Sequence, residues 1–258
     1  MAMASRPERS VHLQLDRPPI VEAMVDIDCE FAGELDMASV ELLAQSAYGD
    51  DYPVSTRRYS DEFLVERREG AEPSLSTSRS LLALQFRTSD ATQLVQVRAG
   101  GFSFNRLAPY AGFDVHLPEV LRGWAVYRSL VSPSAITRLS LRYINRLLLP
   151  MPGGTLDLDA YLTIAPRVPD ETRFHIGPFV VQAELGETGS NCAAHFVLAS
   201  QPPEDGHFPV LLDITTQLTA PLAPNDDAGI LERLLRLRHL KNRIFHQSLT
   251  DTCRALYR

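Results

Sequence analysis

The segment Arg142-Tyr143-Ile144-Asn145-Arg146 holds the densest group of side chains able to do chemistry in this chain. It lies in an apolar run, Ile136 to Leu149, whose composition and spacing predict a β-strand. Successive strand residues point to opposite faces. Tyr143 and Asn145 therefore share a face with Leu139, Leu141, Leu147 and Leu149, and should point into the core. Arg138, Arg142 and Arg146 share the other face. Two readings follow. In one, Asn145 is a buried hydrogen-bond hub and the arginines form ion pairs on the sheet surface. In the other, Arg138, Arg142, Tyr143, Asn145 and Arg146 line a ligand or partner site. A buried polar group left unpaired costs about 1–3 kcal/mol, so Asn145 needs partners on either reading.

Lys241 is the only lysine, against 24 arginines. Schiff-base or lysine general-base chemistry would have to use it. Its place in a charged terminal helix leads to the expectation of a solvated ammonium, a poor setting for a depressed pKa. Other constellations are weaker. Cys29, Cys192 and Cys253 are far apart and form no CxxC, which argues against zinc. His239 and His246 are seven apart, about 10 Å by helical rise and too far to share a metal. His175, His195 and His207 have no visible partner. Asp157-Leu158-Asp159 reads as a helix N-terminus rather than a metal-binding pair. Gly100-Gly101 and Gly153-Gly154 lack the spacing of phosphate loops, and Gly189-Ser190-Asn191-Cys192 reads as a hairpin turn rather than a nucleophile elbow. Tyr110, Phe113, Trp124 and Tyr127 read as a core seam rather than a base-stacking platform. No catalytic residue, metal or cofactor is expected.

The elements that would position these residues are legible in part. Ile20 to Phe31 alternates Val21, Ala23, Val25, Ile27, Cys29 and Phe31 with Glu22, Met24, Asp26, Asp28 and Glu30, the pattern of a half-buried strand. Asp36 is a candidate cap for a helix to Ala47. Strands are expected at Glu62–Arg68, Leu81–Arg87 and Leu94–Leu107, the last with a bulge or bend at Gly100-Gly101. A helix follows at Leu117–Val131. The second half reads as a strand from Ile136, a short helix at Leu156–Ile164 capped by Thr155 or Asp157, strands at Phe179–Leu185, Ala193–Ala199 and Val210–Thr216, and a long helix from Asp227 to about Phe245. That helix carries Ile230, Leu234, Leu237 and Ile244 on its core side and Arg233, Arg236 and Arg243 on its wet side. Ser248 to Asp251 resembles a capping box that starts a last short helix.

Both halves thus read strand, helix, three strands, helix. The expected fold is α+β: a duplicated unit forming one mainly antiparallel curved sheet with helices on one face. The order is like that of the TATA-box-binding-protein fold and the helix-grip folds. Residues 1–10 read as a mobile tail. Residues 11–258 read as a single domain of two repeats, about 18–131 and 136–258. A 116-residue offset places Glu22, Asp26 and Glu30 over Arg138, Arg142 and Arg146. If the two first strands pair antiparallel at the centre, Glu22, Asp26 and Asp28 can pair with those arginines.

Three stretches together carry a resemblance: Pro18-Pro19-Ile20-Val21-Glu22-Ala23, the central Arg142-Tyr143-Ile144-Asn145-Arg146, and Ile244-Phe245-His246-Gln247-Ser248-Leu249-Thr250-Asp251. Leu107-Ala108-Pro109-Tyr110 and Trp124 also fit. The chain resembles a sporadically distributed bacterial family of uncharacterised proteins that open with a PPI-x-EA signature and carry a central RYINR. Phe113 and Leu249 depart from its usual residues. The resemblance implies no activity and no catalytic residues. The family's patchy distribution implies horizontal transfer, as with defence or toxin–antitoxin genes.

The 258 residues are 45% hydrophobic and 22% charged, with a formal net charge of -7. That composition suits a folded core and excludes a disordered or fibrous chain. The acidic balance disfavours nucleic acid as a partner, although Ala228 to Arg258 carries six arginines and Lys241 against Glu232 and Asp251. Docking of this basic segment on the acidic body is the simpler expectation. A polar N-terminus without an apolar core and the lack of a long apolar run lead to the expectation of a cytoplasmic protein with no membrane partner. The expected function is a binding or interaction module without catalysis, its partner a protein or a small ligand. The alternatives are a nucleic-acid-associated component of a defence or toxin–antitoxin locus, and an enzyme of unknown class.

Overall fold

The structure, a computed structural model, describes residues 15–33, 35–66, 74–154, 156–167, 169, 173–174 and 176–258. The expected tail at 1–10, Thr155 and His175 lie outside the described residues. The chain order is β1 (Ile20–Glu30), α1 (Met37–Tyr48), β2 (Val54–Glu66), β3 (Ser74–Arg87), β4 (Gln93–Arg98), β5 (Gly101–Leu107), α2 (Phe113–Val131), β6 (Ala135–Pro150), β7 (Val180–Gly186), β8 (Cys192–Ser200), β9 (His207–Leu222), α3 (Asp227–Ser248) and α4 (Asp251–Ala255). The nine strands form one curved, open antiparallel sheet in the order β2-β3-β4-β5-β1-β6-β9-β8-β7. The fold is α+β, and both halves of the chain contribute to the one sheet.

The period-2 pattern decides the faces. Ala23, Val25 and Ile27 of β1 lie opposite Tyr143, Leu141 and Leu139 of β6, and all six are buried. Against them pack Val40 and Ala44 of α1, Val120, Trp124 and Tyr127 of α2, and Ile230, Leu234 and Leu237 of α3. A second apolar cluster, with Leu147, Leu149, Leu212, Phe245 and Leu249, fills the space under the end of α3 and α4. Trp124 stacks on Tyr127 at 5.6 Å and meets Phe102 edge-on, so Trp124 and Tyr127 are core, as their spacing suggests, while Tyr110 is half-buried.

The order of elements departs from the expected repeat in two places. Leu94 to Leu107 is not one bent strand but the tight hairpin β4–β5, with Arg98 opposite Gly101. A Cβ on Gly101 would collide with the Ile27 carbonyl, so only glycine lets β5 begin this close to β1. The first half therefore has four strands after α1. In the second half, Leu156 to Ile164 forms turns and no α-helix. Asp157 does accept from the Asp159 and Ala160 N–H groups, as a cap would. However, Thr163 N–H donates to Ser248 O, Tyr161 O accepts from Thr250 N–H, and Leu162 bridges to Leu249. A segment this short does not repay helix nucleation when neighbouring backbone takes its hydrogen bonds.

Smaller corrections have local causes. The α1 stripe runs through Val40, Ala44 and Tyr48, while Leu43 is exposed. Helix α2 starts at Phe113, four residues before expectation. The cap of α4 is Thr250, whose hydroxyl accepts from Cys253 N–H, whereas Ser248 donates back to Ile244 O inside α3. Of the arginines expected on the wet side of α3, Arg236 is exposed, Arg233 binds the Ala220 and Pro221 carbonyls, and Arg243 pairs with Glu187. With Arg238 on Asp114, this docks the basic terminal segment on acidic neighbours.

Candidate functional site

The structure separates the five candidate residues by face. Arg138, Arg142 and Arg146 lie on the sheet face away from the helices, and each has an anionic partner. β1 and β6 are antiparallel neighbours, so Asp28 stands opposite Arg138 and the two pair at 2.5 Å. The other expected cross-strand pairs do not form. Arg142 stands opposite Met24 and turns to Asp213 of β9 at 2.6 Å. Arg146 turns to Glu204 at 2.6 Å and Gln201 at 2.9 Å, beyond β8. Glu22 is taken by Asn105, which Gln96 reaches in turn. Asp26 takes the Ser103 hydroxyl and Arg98, and burial pushes its carboxyl above the usual range. The antiparallel register offsets the two charge rows, and each side chain finds the nearest opposite charge on whichever strand supplies it.

Neutralised arginines have little charge to offer phosphate. Arg142→Ala is therefore expected to leave retention on heparin unchanged. It should alter stability by at most about 1 kcal/mol, since Arg142 is 41% exposed and water screens the pair. A clear loss of heparin retention at physiological salt would restore the phosphate reading.

Tyr143 and Asn145 face the helices and open onto a cavity of about 360 Å³. Its lining comes from four parts of the chain, the first of them starting at Leu15. Leu15, Asp16, Pro18, Pro19 and Ile20 lead into β1; Tyr110 to Phe113 lead into α2; Tyr143 and Asn145 come from β6; and Arg238, Lys241, Asn242 and Phe245 come from α3. The Asn145 amide donates to Leu212 O at 2.9 Å, tying β6 to β9. The Tyr110 and Tyr143 hydroxyls share a 2.9 Å hydrogen bond, and burial raises Tyr143 to about 12.

Lys241 is the residue that the sequence reading placed wrongly. It is 9% exposed, not solvated, and burial lowers its amine to about 7, with a smaller push from Arg238. Its Nζ sits 4.0 Å above the centre of the Tyr143 ring. Among the described residues it has no carboxylate partner and no hydrogen bond. Arg238 is not in this position: it forms a two-point pair with Asp114, at 2.8 and 3.0 Å, and lies over Phe113. A signal for Lys241 was present. It falls four residues after Leu237 and four before Phe245, so the apolar stripe of α3 runs directly through it. Its methylene stem can follow that stripe while the amine meets the aromatic face.

Among the described residues, no group of three or more His, Cys, Asp or Glu side chains is placed to hold a metal ion. No helix among them is long and apolar enough to cross a membrane. A comparison of the sequence with protein-family models and with curated proteins finds no match. The site therefore stands on its geometry: a lined cavity with one buried amine that has no ion pair or hydrogen bond among the described residues.

Proposed function

We propose that the chain is a non-catalytic binding module whose ligand is a small molecule carrying an anionic group, seated between β6 and α3. The observation that carries this reading is the buried Lys241, without an ion pair or hydrogen bond among the described residues, in a cavity large enough for a compact organic ligand. Buried charges in folded proteins are ordinarily paired, and a bound anion is the pair missing here. The ion-paired state of Arg138, Arg142 and Arg146 supports this reading over a nucleic-acid role.

The strand order supports a finer reading of the fold. Outward from the central β1–β6 pair, each half sets its first strand, then its last, then the preceding ones in reverse: β5-β4-β3-β2 on one side, β9-β8-β7 on the other. We infer from this a duplication about a pseudo-two-fold axis, with the TATA-box-binding-protein and helix-grip folds as the analogues. Membership of the sporadic bacterial family is part of the same proposal and rests on the motifs quoted above; a cytoplasmic setting is proposed alongside it.

The pH dependence of binding tests the function. The groups around the amine are Arg238 on α3, Tyr143 on β6, Tyr110 before α2 and Asp16 before β1, with Asp114 held on Arg238. An anion binds the ammonium form. With the free amine at about 7, affinity should be flat below pH 7 and fall toward tenfold per pH unit above it. Calorimetric titration with monocarboxylates from propionate to benzoate, at pH 6 and 8.5, reads this directly. Lys241→Met should abolish binding. Binding that is unchanged by pH and by Lys241→Met would overturn the assignment.

A further inference from the structure

We infer that Lys241 is a nucleophile that captures a small aldehyde or ketone bearing a carboxylate, as a reversible imine in the β6–α3 cavity. The inference rests on the anion-binding reading above and names the ligand class. Geometry carries it. The only side-chain amine in the protein lines a cavity of about 360 Å³. No hydrogen bond or ion pair among the described residues holds its nitrogen as ammonium. An ion-paired lysine is locked in its protonated form and cannot attack a carbonyl, and Lys241 has no such lock. Desolvation and the neighbouring Arg238 are the two settings that activate lysine nucleophiles, and both apply here. Roughly half of such amines are neutral at pH 7, against less than about 0.1% for a lysine in water.

The step balances without a redox partner. The Nζ lone pair forms a C–N bond, and the carbonyl π electrons move to oxygen, which takes a proton. The resulting carbinolamine expels that oxygen as water, and nitrogen releases a proton as the C=N bond forms. Hydrolysis reverses the sequence. When the imine is protonated, its cation lies where the ammonium lay, over the Tyr143 ring at about the same 4.0 Å. The carboxylate of the ligand then supplies a counter-charge, which no ion pair among the described residues gives this amine, although Asp16 lines the same cavity. A carbonyl compound without an anionic group would leave that cation unpaired and should be held less well.

Reductive trapping tests this, because a single lysine makes the product unambiguous. The full chain is incubated with glyoxylate or pyruvate and sodium cyanoborohydride at pH 7, digested and mapped by mass spectrometry. Cyanoborohydride delivers hydride to the protonated imine and fixes it as a secondary amine. Lys241 in the native protein should be modified at least about a hundredfold faster than Lys241 in the urea-unfolded chain. The α-amino group, the only other amine, maps to a separate peptide and serves as the internal reference. Lys241→Arg keeps the cation and should lose the adduct. Propionate, an anion with no carbonyl, should protect Lys241. Modification of the α-amino group alone, or a native rate no higher than the unfolded one, overturns the imine. If propionate still binds in that case, the anion-binding reading survives. If Lys241 is trapped and propionate neither binds nor protects, the imine stands and the anion-binding reading fails.

Discussion

Replacing Lys241 by methionine is expected to stabilise the protein by about 4 kcal/mol at pH 7 and to lose that advantage as pH approaches 10.5. The folded state holds the amine at about 7, while the unfolded chain returns it to 10.5. Between those values the unfolded state binds more protons, so the stability of the unmodified protein rises with pH across the window. Below pH 7 both states are protonated, and the penalty is constant at its largest. Above pH 10.5 neither is, and the ionisation penalty is gone. Loss of the contact with the Tyr143 ring returns about 0.5–2 kcal/mol, so the measured gain at pH 7 should be somewhat smaller than the ionisation part alone. Urea unfolding of the two proteins at pH 7 and pH 10.5 measures both ends. Equal stabilities at pH 7 would mean that Lys241 is solvated after all. A stabilising substitution that abolishes binding would also show that the buried amine is kept for function at a cost in stability.

Trp124→Ala is expected to destabilise the fold by about 3–5 kcal/mol. Trp124 is 1% exposed, packs on Phe102 and Tyr127, and donates its indole N–H to Pro224 O at 3.2 Å. It therefore joins α2 to β5 and to the segment leading into α3. Truncation opens a large hole between three elements and leaves a carbonyl short of one donor, although Arg128 also reaches Pro224 O at 2.8 Å. The change removes the only tryptophan, so unfolding must be followed by circular dichroism. At roughly 2–4 °C per kcal/mol for a chain of this size, the midpoint should drop by about 10 °C. A loss below about 1 kcal/mol would show that the aromatic seam is not continuous core.

The two predictions differ in how far their residues could be read beforehand. Trp124 was legible because it sits on the apolar stripe of a helix, where the core reading outweighs that of a base-stacking platform. Lys241 sits on an equally clear stripe, but its residue type argued for water and outweighed its position. Position was the better guide. A lysine stem has four methylenes and packs as an apolar side chain when an aromatic face receives the amine. Tyr143 and Asn145 were placed correctly by alternation, yet their membership of a cavity depends on Tyr110 and on the Pro18–Ile20 segment. Nothing in the spacing of β6 reports on residues so far away in the chain.

The partners of the arginines divide the same way. Alternation placed Arg138, Arg142 and Arg146 on one face, and the 116-residue offset between acids and arginines led to the expectation that β1 and β6 are neighbours. Only the register, Asp28 opposite Arg138 and Met24 opposite Arg142, decided which acid each would find. The hairpin at Ala99–Gly100 and the turns at Leu156–Ile164 were misread because local propensity is weak in short segments. Strand closure against β1 and backbone pairing with the end of α3 then decided the outcome.

The sequence by itself determined the strand and helix periods, the buried face of β1 and β6, the start of α3 and the Ile230, Leu234 and Leu237 part of its core stripe, and the presence of a single amine side chain. These follow from residue type and spacing within one element, where the physics is local. The tertiary structure alone decided that the amine is buried, that it has no partner among the described residues, and that it faces a cavity. Desolvation depends on every element packed around a group, and those elements come from Leu15 to Phe245.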